Sequence, residues 1–145
     1  MKKVLLFIFA SIFFSACQKS NPNFQKDAAN PDFLIRAELM LTESIIHDIF
    51  APPVSARIYM YAGIAGYEAA IPGDIKFKSL VGQINGFEKI PQPEKGLEYC
   101  FPLASTRAYL AVGKKLTFAQ ELYIDFDKKL EQDYQKIGIP KDVYK

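Results

Sequence analysis

The stretch from His47 to Gly73, HDIFAPPVSARIYMYAGIAGYEAAIPG, has the most telling pattern of apolar and polar positions in the chain. It reads as the end of one helix, a double-proline break, and a second helix from about Val54 to Ala70. That second helix is built of Ala, Gly, Tyr and Ile, with only Arg57 and Glu68 charged. A helix apolar on nearly every side belongs in the middle of a protein. At about 100° per residue, Arg57, Tyr61 and Glu68 share one stripe, but about 16 Å of helix separates Arg57 from Glu68. They cannot pair, and buried charges need partners, so each must find one elsewhere. Ala62, Gly66 and Ala70 recur every fourth residue, a surface that another backbone can approach closely. Gly63 and Gly66 each cost about 1 kcal/mol of helix propensity against Ala, which also points to packing against a neighbour.

The preceding helix starts at Asn30-Pro31-Asp32, with a capping residue, a proline at the first helical position and an acid in the first turn. It runs to about Phe50 and stops at Pro52-Pro53. Arg36, Glu43 and His47 form one polar stripe, and most of the remaining circumference is apolar. Residues 74–96 are mixed, with short helical or irregular pieces from Ser79 to Asn85. A third helix covers about Leu97 to Lys115, bent or begun near Pro102. Thr117 and Gln120 form a capping box for a fourth helix, Phe118 to about Ile137, whose inner face is Phe118, Leu122, Phe126 and Leu130. Asp125 and Lys129, at i,i+4, decorate its outer face, and Gly138 stops it. Pro140 then opens what reads as the first turn of a fifth helix, or a frayed tail.

Before all this comes a different pattern. Lys2 and Lys3 precede an apolar run, Val4 to Phe14, too short to span a bilayer as a mature helix. Ser15-Ala16-Cys17 follows, so residues 1–16 read as a secretory signal. Phe-Ser-Ala-Cys is similar to a bacterial lipobox, which implies lipid attachment at Cys17 and a membrane as the first partner. Residues 17–29 read as a flexible tether, and residues 30–145 as one helical domain. No acidic residue directly follows Cys17, which favours the periplasmic side of the outer membrane.

Half the residues are apolar, ample for a core. The 18 cations lose Lys2 and Lys3 with the signal, leaving a charge near zero against 16 acids and no basic face for nucleic acid. With Cys17 lipidated, Cys100 has no disulfide partner, and its Tyr-Cys-Phe setting reads as a buried, inert thiol.

Catalytic chemistry is scarce. His47 is the only histidine, reads as half of a surface pair with Glu43, and makes a poor metal site alone. No phosphate loop, dinucleotide fingerprint or G-x-S-x-G occurs. Asp125, Asp127, Glu131 and Asp133 fall on a lysine-laced, solvated face. Tyr59, Tyr61, Tyr67 and Tyr109 either line a cavity or pack the core.

Four segments carry a family resemblance: PPVSARIYMYAGIAGYEA (Pro52 to Ala69), LVGQINGFEKIPQP (Leu80 to Pro93), TRAYLAVGKKLTF (Thr106 to Phe118) and GIPKDVYK (Gly138 to Lys145). Together they resemble the N-terminal segments of lipoprotein-like bacterial vanadium-dependent haloperoxidases, in the type 2 phosphatidic acid phosphatase superfamily. The resemblance implies an all-helical fold holding a phosphate or vanadate oxyanion. The superfamily motif has Lys and Arg-Pro, then Pro-Ser-Gly-His, then Ser-Arg followed by His. Its basic residues neutralise the oxyanion, one His is nucleophile or vanadate ligand, and another is a general acid. This chain has no Arg-Pro, no Pro-Ser-Gly-His and one His, so no catalytic or cofactor-binding residue carries over.

The expectation is therefore an all-α helical bundle of about four main helices, an incomplete part of a larger helical fold. It would be a lipid-anchored N-terminal scaffold lacking the catalytic oxyanion site and inactive alone, from a truncated, frameshifted or split reading frame. Its partner would be a missing C-terminal half or a symmetric copy, and vanadate is expected only for a full-length family member. Two alternatives stay open: a complete small lipoprotein that binds a partner or ligand, and an enzyme with an unfamiliar site around His47 and Glu43.

Overall fold

The computed structural model describes residues 20–144, so the signal segment and Cys17 lie outside the described residues. The architecture is helical, with no strand among the described residues. Its elements are α1 (Phe24–Ala28), α2 (Asp32–His47), α3 (Pro52–Ala70) with a 3-10 turn at Ile71–Gly73, α4 (Phe101–Leu116), α5 (Leu122–Ile137) and α6 (Lys141–Tyr144).

Helix α1 lies within the stretch expected to be a flexible tether, and the structure corrects that reading. Phe24 and Ala28, one turn apart, are both buried in the core. The backbone N–H of Asn21 donates to the Gly138 carbonyl at 2.9 Å, and its side-chain amide donates to Ile137 O. Gln25 reaches Tyr99 O at 2.7 Å. The signal for this was the apolar pair at i,i+4 in an otherwise polar segment.

Helix α2 starts as its sequence dictates, with the Asn30 side chain accepting from Asp32 N at 3.0 Å. Phe33, Ala37, Met40, Leu41, Ser44 and Ile45 form its buried face. The opposite face is also apolar, yet Ile35, Leu39 and Ile46 are exposed there by 52%, 62% and 70%. So the helix is buried on one side rather than around most of its circumference. It ends short of the prolines in a Schellman turn: Ile49 N donates to Ile46 O, and Phe50 N donates to Ile45 O. Such a turn wants Gly at the left-handed position, but Ile49 sits there at φ 55°. A β-branched residue in that region costs roughly 1–2 kcal/mol, and Ile49 is solvent-exposed. Ile49→Gly is therefore expected to stabilise the chain by about 1 kcal/mol, read as a raised denaturant midpoint.

Pro52 and Pro53 begin α3 rather than merely ending α2, because a first-turn proline has no helical N–H to lose. The four-residue spacing works as expected at Gly66. Its carbonyl accepts from Ser105 Oγ at 2.8 Å, and an added Cβ would lie 3.3 Å from Ser105 O. Helix α4 thus packs closely along α3 at this point. Gly63 is exposed and faces open space, so nothing among the described residues packs on it.

Helix α4 begins at Phe101, with Pro102 in its first turn. The expected capping box at Thr117 and Gln120 does not form. Thr117 Oγ1 donates back to Gly113 O, and the Gln120 amide donates to Lys114 O and Thr117 O, closing the end of α4. Helix α5 starts later, at Leu122, and its packed face is rotated from the expected one. Tyr123, Leu130 and Tyr134 are buried, Leu122 and Phe126 pack at the edge, and Phe118 is 77% exposed. The tyrosines can go inside because their hydroxyls are met by Thr117 and Thr106.

The carboxylates of α5 are also not a plain solvated face. Asp133 pairs with Arg36 at 2.9 Å, Glu131 with Arg107 at 3.2 Å and Asp127 with Lys114 at 3.2 Å, tying α5 to α2 and α4. Asp125 pairs with Lys128 rather than Lys129. The turn α6 packs Val143 against the core, and Ile139 before it is buried.

Candidate functional site

The structure places the candidate residues read from the sequence in separate surroundings. His47 Nδ1 lies 3.2 Å from Asp48 Oδ1, so its partner is the next residue and not Glu43. Asp48 is the more consequential group. Its side chain is 3% exposed, and Oδ2 accepts from Phe118 N at 2.6 Å and Ala119 N at 3.4 Å. It holds the α4–α5 connection against the end of α2. Burial pushes this carboxyl up, but the bonds from Phe118, His47 and Ala119 outweigh it and leave the pKa below its ordinary 3.8. Between the two values the unfolded chain binds more protons than the folded one, so stability rises with pH there. The contribution is present above pH 3.8 and lost as pH falls through the folded value. Asp48→Asn is expected to cost about 1–2 kcal/mol at pH 7, with the gap from the parent closing in acid. Denaturant midpoints between pH 2 and 7 check this.

The four tyrosines separate. Tyr109 is buried, with its hydroxyl pushed well above its ordinary value chiefly by burial. Tyr59 bonds Thr42 at 2.7 Å, and Tyr67 donates to Lys78 O at 3.0 Å. Tyr61 lines an apolar cleft. Cys100 is buried, and burial raises its thiol pKa, as suits an inert residue. No group of three or more His, Cys, Asp or Glu suited to a metal exists among the described residues.

The cleft at Tyr61 is an apolar groove of about 610 Å³ between α3, α4 and the loop at 84–91. Ala65 and Ala69 of α3 and Ala108 of α4 form low walls, while Ile64, Ile84, Phe87, Ile90 and Val112 supply bulk. Its single charged lining residue is Glu68. Glu68 is 6% exposed and accepts from Ser79 Oγ at 2.8 Å and Leu80 N at 2.6 Å. The expected partner for this buried charge is therefore the loop after α3, reached by hydrogen bonds and not by a cation. Arg57 lies exposed on α3 and needs no buried partner. Sequence spacing flagged Glu68 as needing a partner, but nothing local named Ser79 or Leu80.

No family model matches the chain, and no curated protein matches it. Among solved structures it is similar to one described as the crystal structure of the first bacterial vanadium-dependent iodoperoxidase. The two are 31% identical with a TM-score of 0.69, over 74% of this chain and 26% of the other. The chain thus spans about a quarter of that protein's length. The identity and the shared helical arrangement agree with the resemblance carried by the four sequence segments, and the chain is haloperoxidase-like.

Proposed function

We propose that this chain is a lipid-anchored scaffold: the N-terminal helical part of a haloperoxidase-like protein, without the oxyanion site. The observation that carries the reading is the second apolar face of α2. Ile35, Leu39 and Ile46 lie opposite a complete core face and are uncovered, as Met60 and Tyr61 are on α3. An apolar stripe at helical spacing is a packing surface, and most of the similar protein's chain lies outside the matched quarter.

A vanadate oxyanion does not fit the residues present. It calls for an imidazole and clustered cations. The one imidazole leans on Asp48, the groove's charged residue is an acid, and Arg36, Arg107 and Lys114 face carboxylates. The anchor would be Cys17, placing the scaffold in the bacterial cell envelope, on the periplasmic side of the outer membrane. Fatty-acid labelling that persists in Cys17→Ala would refute the anchor.

The second reading is a complete small lipoprotein that binds a partner or ligand. Apolar-dye fluorescence under native conditions tests whether the second face of α2 is open. The scaffold binds dye, and the pair Leu39→Lys with Ile46→Lys removes much of that signal while leaving the stability within about 0.5 kcal/mol. A native chain silent to dye overturns the scaffold reading.

A further inference from the structure

We propose that the groove between α3, α4 and the 84–91 loop binds an elongated apolar ligand carrying one primary ammonium group, whose charge is met at Glu68. This goes beyond the scaffold reading and does not rest on it. The groove's volume of about 610 Å³ falls in the range of small-molecule pockets. Its walls are apolar, from Ile64, Ala65 and Ala69 to Phe87 and Val112. Against those walls, one charge decides which end group is welcome. Glu68 is that charge, and it is buried.

A buried carboxylate without a counter-ion is costly, because attraction to a cation is what offsets its desolvation. Glu68 forms no ion pair among the described residues. Its two oxygens offer about four acceptor positions, and the bonds from Ser79 and Leu80 use two. The vacant acceptor capacity matches an ammonium N–H donor, and the sign of the charge rejects an anion. A hydroxyl could donate as well, but a charge-assisted hydrogen bond is roughly twice as strong as a neutral one. An alkylammonium therefore fits the groove better than an alcohol or a sulfate of the same chain length.

The test uses the purified chain with n-decylammonium, decanol and decyl sulfate, each below its micelle-forming concentration. Decylammonium should bind saturably, about tenfold more tightly than decanol, the gain expected of one charge-assisted contact. Decyl sulfate should bind most weakly. Glu68→Gln should bring decylammonium to the level of decanol, and Ala108→Leu should weaken both by filling the groove. Glu68→Gln could loosen the loop, so a second readout uses the unaltered chain. The amide resonances of Ser79 and Leu80 should shift with decylammonium and not with decanol. Equal binding of decylammonium and decyl sulfate overturns the proposal. So does an ammonium preference that survives Glu68→Gln, or amides at 79 and 80 that ignore decylammonium.

Discussion

Tyr134→Ala is expected to cost about 4 kcal/mol, the largest single effect in the chain, in line with deletion of a buried aromatic ring. Tyr134 is completely buried, and its ring stacks on Phe33 with centroids 4.3 Å apart. It is where α5 meets α2, and Arg36, beside Phe33, reaches across to Asp133 on the same interface. Removing the ring leaves a cavity at an interface that the Arg36–Asp133 pair also holds, which limits its collapse. Tyr134→Phe keeps the ring and loses only the 3.2 Å bond to Thr106 Oγ1, so about 1 kcal/mol is expected. Thr106 still donates to Pro102 O. Equilibrium denaturation of both variants measures the pair, and equal losses would mean that the hydroxyl, not the packing, holds the interface.

Glu68→Ala should cost about 2 kcal/mol, and its effect should be local. The carboxylate is the acceptor for Ser79 Oγ and Leu80 N, and a lost hydrogen bond to a charged group weighs more than a neutral one. Relief of the buried charge offsets part of that. Residues 74–99 form no helix, so they depend on such side-chain anchors, including Tyr67 to Lys78 and Tyr99 to Glu94. Amide exchange should accelerate across 79–91 while α4 and α5 stay protected. Uniform acceleration throughout the chain would mean that Glu68 supports the core rather than the loop.

The helices were legible where the cue was local. Asn30-Pro31-Asp32 started α2, Pro102 opened α4, and Gly138 ended α5 at φ 78°. The small-residue spacing of α3 gave the close approach at Gly66. What failed was long-range. Thr117 and Gln120 have the composition of a capping box, but Asp48, 70 residues earlier, supplies the acceptor for Phe118 N. That carboxylate accepts from Phe118 N and Ala119 N, Gln120 N donates to Phe118 O, and α5 begins a turn later. The packed face of α5 was misread because tyrosines count as half-polar, while here Tyr123 and Tyr134 find hydroxyl partners in the interior. Glu43 looked like the natural mate of His47 at i,i+4, yet Asp48 is nearer. The groove itself could not be read at all: it needs α3, α4 and the 84–91 loop brought together, and no motif announces that.

The surface of α2 shows how pattern and packing differ. Its sequence is apolar on two opposite sides, and periodicity alone cannot say whether both are covered. In the structure one side meets α4 and α5, and the other, at Ile35, Leu39 and Ile46, is left largely exposed.

Vanadate binding tests the central claim most directly, because a scaffold without the oxyanion site must fail to hold the ion. Equilibrium dialysis of the folded chain against vanadate, near neutral pH and at concentrations up to about a hundredfold over the protein, should show no saturable retention. One vanadate held per chain, and displaced by phosphate, would contradict the account.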